Sequence, residues 1–173
     1  ACSQPWNVSV PAQAAALGAG AIVTMATAGK MSEYDIEDLV ASRPNLILLA
    51  GGTDYGERET ALYNAARIAE TRLKAPVIYA GNVQNQRAVM DIFKKAGVSC
   101  TVTENVYPKL DKLNIEPARK IIHKVFEEHI IKAPGMEHIR DMVTGSIMPT
   151  PGAVMEAVQL IYNEIGDVVA VDI

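Results

Sequence analysis

The sequence predicts an α/β fold, doubly wound around a mostly parallel sheet, and three observations carry that prediction. Apolar runs of strand length recur every roughly 25–30 residues with a helical pattern between them, the rhythm of right-handed βαβ units. Two of the runs empty into glycine followed by small polar side chains. Leu46-Ile47-Leu48-Leu49 leads into Gly51-Gly52-Thr53-Asp54-Tyr55-Gly56, and Val77-Ile78-Tyr79-Ala80 leads into Gly81-Asn82. A helical pattern then follows each turn, which is how open parallel sheets build their ligand crevice. The implied architecture is three-layered and Rossmann/flavodoxin-like, with extra C-terminal helices.

Bulk properties narrow the function. A chain of 173 residues has single-domain size and can bury a sizeable core. Its 49% hydrophobic and 21% charged content is that of an ordinary globular protein. A net charge of −4 without a basic stripe excludes a nucleic-acid surface, which needs clustered phosphate contacts. No apolar run approaches the ~20 residues that cross a bilayer, so no membrane contact is expected. Cys2 and Cys100 form no disulfide framework, and a reducing, cytoplasmic setting follows, with a Cys2–Cys100 bridge left open. The start, Ala1-Cys2-Ser3-Gln4-Pro5-Trp6, has neither an initiating Met nor a basic region before an apolar core. It reads as processed or cut from a longer chain.

Asn7 to Val10 alternates polar and apolar, enough for a short strand. Pro11 opens a helix through Leu17 that Gly18 and Gly20 end. Residues 21–26, AIVTMA, read as the first full strand, closed by Gly29. Ser32 with Asp35 three residues on is a variant capping box, Ile36, Leu39 and Val40 form the stripe, and Arg43-Pro44-Asn45 stops the helix. After the strand at 46–49 and its glycine turn, Leu62, Ala65, Ala66, Ala69 and Leu73 share one helix face. Residues 77–80 form a strand, 86–96 a helix with Gly97 as C-cap, and 99–103 a further strand. The last third is helical: residues 116–132, a shorter piece at 136–143, and a helix capped by Thr150 with Pro151 at its first position and Gly166 at its end. Residues 167–173, DVVAVDI, read as a strand that stops without a turn, so residues 1–166 are expected to be one module and 167–173 the truncated start of the next segment.

Candidate chemistry is sparse. The 51–56 turn could cradle an anion on backbone N–H groups. It lacks the Lys-Ser/Thr of a P-loop and the spacing of a dinucleotide fingerprint, and Asp54 would repel an anion. The plainer account is a tight turn with Thr53 or Asp54 capping the next helix. Gly81-Asn82 reads the same way. His123, His129 and His138 have no metal-ligand spacing, and His123 with Glu127 reads as a pair on a solvated helix face. There is no Gly-x-Ser-x-Gly turn, and Cys100 reads as a small buried hydrophobe. No catalytic residue and no metal ligand is therefore expected. Asp172 stands apart, because an acidic residue ending a strand of small aliphatics is how sugar-kinase and actin-like ATPases begin a phosphate loop.

Four stretches then occur in one order: Leu49-Ala50-Gly51-Gly52-Thr53-Asp54; Pro76-Val77-Ile78-Tyr79-Ala80-Gly81-Asn82; Glu104-Asn105-Val106-Tyr107-Pro108 with Leu113-Asn114-Ile115-Glu116-Pro117-Ala118-Arg119; and Pro149-Thr150-Pro151-Gly152-Ala153-Val154. Together they resemble the MutL family associated with glutamate mutase, unrelated to the mismatch-repair protein of the same name, over nearly all of residues 14–173. The resemblance implies an actin-like ATPase that reactivates or chaperones adenosylcobalamin-dependent mutases. It implies that Asp172 matches the Asp of the second phosphate loop, whose glycines would follow Ile173, while the first loop would precede Ala1. ATP and magnesium would then belong to the intact protein, with no cofactor in this chain. Tyr55 and Glu57 stand where the family tends to carry Gly and Asn.

The leading expectation is a non-catalytic module acting through contact with a mutase or with the remainder of its own ATPase chain, using Gly51, Gly52, Thr53, Asp54, Gly81 and Asn82 as contact residues. The alternative is a small-molecule-binding enzyme domain with its ligand over Gly52 and Asn82. A cobalamin-binding domain fits poorly, because no Asp-x-His-x-x-Gly pattern is present and no His precedes residue 123.

Overall fold

The structure is a computed structural model and describes residues 9–130, 142, 144–145 and 150–171. Three strands form a parallel sheet in the order β1-β2-β3: β1 is Ile47–Leu49, β2 is Val77–Tyr79 and β3 is Cys100–Val102. Ile47 pairs with Val77 and Val77 with Cys100, so the three strands end level with one another. Helices α1 (Ser9–Gly18), α2 (Glu33–Ser42), α3 (Glu59–Glu70), α4 (Gln86–Ala96), α5 (Glu116–Ile130) and α6 (Thr150–Ile165) surround it.

Strand alternation sorts the core into two faces. Ile47, Leu49, Val77 and Tyr79 point to one side and meet Leu39 of α2, Ala61, Ala65 and Ile68 of α3, and Val89 and Phe93 of α4. Leu48, Ile78 and Ala80 point to the other and meet Ala15 and Ala19 at α1 and Ala118 and Ile122 of α5. Helices on both faces of a parallel sheet make this a doubly wound, three-layer α/β fold.

Local signals place several elements where the sequence puts them. The Ser32 hydroxyl accepts from the Asp35 N–H while the Asp35 carboxylate accepts from Ser32, a complete capping box on α2. Arg43 closes that helix with φ 46. Gly97 ends α4 in the left-handed region at φ 70. Arg67 of α3 pairs with Glu33 of α2 and with Glu70, pinning the two helices together.

Elsewhere the structure differs. α1 begins at Ser9 and takes in Val10, so the short strand at 7–10 is not formed by its described residues. Residues 21–26 form no strand: no described residue pairs with them in a ladder, although their exposure alternates residue by residue and Ile22 is 90% exposed. Between residues 21–28 and β1 lies a cleft of about 1220 Å³ lined by both. Residues 167–171 are likewise not a strand, with Val169 and Val171 exposed. Strand formation needs a hydrogen-bonding neighbour as well as a pattern, and neither segment has one among the described residues. His123 is half-buried rather than on a solvated face, because Gly152 of α6 sits over its ring. Apart from Met142, the helical piece expected at 136–143 lies outside the described residues, as does Asp172.

Candidate functional site: the loop platform above the sheet

The level strand ends deliver three loops to one place, and buried asparagines weld them together. Asn82 is fully buried and uses its whole amide. Its Oδ1 accepts from the Tyr55 N–H at 3.2 Å and the Gln84 N–H at 3.0 Å. Its Nδ2 donates to the carbonyls of Gly56 at 3.3 Å and Glu57 at 3.2 Å. Asn85, also fully buried, accepts from Arg58 Nε and donates to the Arg58 carbonyl. Asn105 donates to the Gly52 carbonyl and to Asp54 Oδ1, both at 3.0 Å, and accepts from the Tyr107 N–H. No buried side-chain polar atom among the described residues lacks a partner. A satisfied network of this kind rigidifies what it joins.

The glycines are there for space. Gly52 has φ +70, and a Cβ on it would stand 2.2 Å from the Glu57 carbonyl oxygen. A Cβ on Gly81 would stand 2.8 Å from both the N and O of Gly51 and from the Tyr79 hydroxyl. The β1 and β2 loops therefore touch backbone to backbone, with the Asn82 N–H donating to the Gly51 carbonyl at 3.0 Å. The Tyr79 hydroxyl donates to the Asn82 carbonyl beneath this contact, and burial pushes its phenol up to about 12.

Asp54 is the hub rather than a helix cap. Its N–H donates to the Pro108 carbonyl, and its Oδ1 accepts from the Val83 N–H and from Asn105, so it ties all three loops. α3 starts only at Glu59, and the carboxylate of Glu57 accepts from the Thr60 N–H, which replaces the expected cap by Thr53 or Asp54. Beside Asp54 lies a hollow of about 320 Å³ rimmed by Val83, Glu104, Pro108, Lys112 and Asn114. Tyr55, held at φ 63, stands out beside it at 78% exposed.

The structure thus brings Gly51, Gly52, Thr53, Asp54, Gly81 and Asn82 together, while Asp172 lies outside the described residues. Asn85, Asn105, Arg58 and Tyr79 join the cluster without having been singled out as site residues. One signal could have found Asn105: like Asn82, it falls just beyond a strand and before a turn. Among the described residues no group of three His, Cys, Asp or Glu side chains could hold a metal. Cys100 is a free, half-buried thiol whose acidity burial lowers, its value raised to about 11. No helix of the described residues is long and apolar enough to cross a membrane.

A doubly wound α/β module with a rigid, amide-braced loop platform at the carboxyl ends of its strands is the class of protein that fold and site define. The family model described as MutL protein matches residues 8–173, and this chain belongs to that MutL family. It is similar to "Protein MutL" of Clostridium tetanomorphum, with 42% identity over 175 residues. That match covers 98% of this chain but 38% of the curated relative, so the chain spans well under half of that protein's length. No solved structure matches it.

Proposed function

We propose that this chain is a non-catalytic, cytoplasmic module of an actin-like ATPase that serves adenosylcobalamin-dependent glutamate or amino-acid mutases, and that it works by protein contact. The observation that carries the reading is the platform itself. Its polar side chains are spent on holding loops, which leaves a preorganised surface of Tyr55, Val83, Glu104 and Lys112 rather than a reacting constellation. No nucleophile–base pair stands there among the described residues. A second surface supports contact with the remainder of the ATPase. α6 exposes Leu160, Ile161, Tyr162 and Ile165, continuous in sequence with exposed Val169 and Val171. Apolar side chains gathered on one helix in this way mark an interaction face. In this reading residues 1–166 are the module, and Asp172 opens the phosphate loop of the next segment, where ATP and magnesium would bind.

The test is calorimetric titration of the chain with a purified adenosylcobalamin-dependent glutamate mutase, alongside a titration with ATP and magnesium. Mutase binding near ~1 μM, weakened by Lys112→Glu, is expected. Absence of binding, or binding indifferent to Lys112→Glu and Tyr55→Ser, would remove the platform from the interaction. The small-molecule reading has one obstacle in the structure: Asn82 keeps no free hydrogen-bonding atom for a ligand.

A further inference from the structure

We propose that the loop from Lys109 to Leu113 is a docking knuckle for a partner protein, and that it seats in an apolar pocket rimmed by carboxylates. The inference rests on the protein-contact reading above and adds the chemistry of the surface that is met.

The loop is held in shape from below. Lys109 and Lys112 form an antiparallel bridge, and the Lys112 N–H donates to the Lys109 carbonyl at 3.2 Å across the turn. Asn114 closes the base: its N–H donates to the Val106 carbonyl, and its Nδ2 donates to Glu104 and to the Asn105 carbonyl. Tyr107 is buried, and its hydroxyl accepts from the Asp111 N–H at 2.9 Å. The Pro108 carbonyl accepts from the Asp54 N–H, which fastens the loop to the platform. A surface tied in this way loses little conformational entropy when a partner meets it.

What the loop presents is unfavourable in the free chain. Bridge partners stand directly opposite, so Lys109 and Lys112 bring like charges together, an arrangement that destabilises. Both are exposed, and neither has a counter-ion among the described residues. Lys112 shares its hollow with Asp54 and Glu104 yet pairs with neither. Asp111 takes φ +57, the left-handed region that suits glycine best. Leu110 and Leu113 are 69% and 60% exposed. A lone exposed leucine needs no explanation. Here two leucines, two opposed lysines and a left-handed aspartate fall together in residues 109–113, each choice against local stability. Sequences break local rules in this way at functional sites.

The pattern names its complement. Exposed leucines call for an apolar pocket, and unrelieved lysines beside them call for carboxylates on its rim. An acidic protein surface supplies both, and a charge match of this kind speeds encounter and fixes register. An anionic membrane fits less well, because the Asp111 carboxylate lies between the two leucines in the chain and would be drawn with them toward lipid. A nucleic acid would find no aromatic side chain in residues 108–114 on which to stack a base.

A photoreactive phenylalanine in place of Leu110 in the 173-residue chain reads the contact directly, with exposed Arg72 as the control position. Crosslinking is done in an extract of the cells that make the protein, and the captured peptide is sequenced. An apolar segment flanked by Asp or Glu is the expected catch. The captured protein, once purified, should bind the chain roughly tenfold or more weakly after Lys109→Glu or Leu113→Ser. Raising salt from about 50 to about 500 mM should weaken it as well. In the chain alone, Lys109→Glu should leave the unfolding midpoint unchanged or raised, since it turns a like pair into an opposite one. Four results would overturn the inference: crosslinking no stronger than at position 72; a lipid, a nucleic acid or a second copy of the chain as the catch; a captured protein indifferent to both variants; or a midpoint lowered by Lys109→Glu. Capture of an acidic protein other than a mutase leaves the knuckle standing and removes the mutase from the proposed function. Mutase binding that ignores both variants does the reverse.

Discussion

At the scale of single residues, Asn82 is the side chain on which the platform depends most. Four hydrogen bonds from one buried amide mean that Asn82→Ala strands two N–H donors and two carbonyls of the loops at once. An unsatisfied buried group costs about 1–3 kcal/mol, so a loss of about 2–4 kcal/mol is expected in urea unfolding. Gly52→Ala should be comparably damaging, because the residue combines φ +70 with a backbone oxygen 2.2 Å from any Cβ. Gly97→Ala, with φ +70 but open space around it, should cost less, about 1 kcal/mol. The phenol of Tyr79 gives a pH signature. Its folded value of about 12 lies above the ordinary 10.0, so the neutral form is favoured by folding. That stability is fully present below pH 10 and is lost as pH rises through about 12. Absorbance at the phenolate band should show one late-titrating tyrosine that Tyr79→Phe removes.

At the scale of elements, capping and tying explain why α2 and α1 sit where they do. Ser32→Ala removes one half of the capping box and should cost about 1 kcal/mol. Its partner Asp35 has a carboxyl lowered from 3.8 by the Ser32 side-chain and backbone hydrogen bonds. The associated stability is present above that value and fades as pH falls below it, and Ser32→Ala should flatten this acid limb. α1 is held by Arg119 of α5, whose Nε donates to the Gly18 carbonyl at 3.1 Å while its guanidinium also pairs with Glu116. Arg119→Ala leaves a helix-terminal carbonyl without that partner, and a loss of roughly 1–2 kcal/mol is expected by thermal or urea unfolding.

For the molecule as a whole, two surfaces face outward with different chemistry: a polar platform over the sheet and the apolar face of α6. The proposed division of labour assigns a mutase to the first and the rest of the ATPase to the second. It follows that this chain alone should show no heat of ATP–magnesium binding. Micromolar nucleotide affinity would mean a complete site within these residues and would sink the ATPase placement. Ellman's reagent should likewise modify Cys100 slowly at pH 8, because its thiol is raised from 9.0 to about 11 and is half-buried.

Much of this was legible in the residues themselves. The capping box at Ser32, the C-cap at Gly97, the bounds of α4 and the strands at 47–49 and 77–79 follow from spacing and from side-chain chemistry that acts over a few residues. The four ordered motifs pointed to the family for the same reason: a turn that needs a bare Cα and a buried amide leaves its mark locally. The apolar runs at 21–26 and 167–173 read as strands, yet a strand exists only when another backbone meets it, and that is a long-range fact. Nor could spacing reveal that Asp54 joins three loops, since its partners lie 29 and 51 residues away. What the sequence determined by itself was the set of elements and the family, because caps, turns and periodicity are near-neighbour physics. Tertiary structure alone decided which loops meet and which asparagines are spent, because those depend on parallel pairing between segments far apart in the chain.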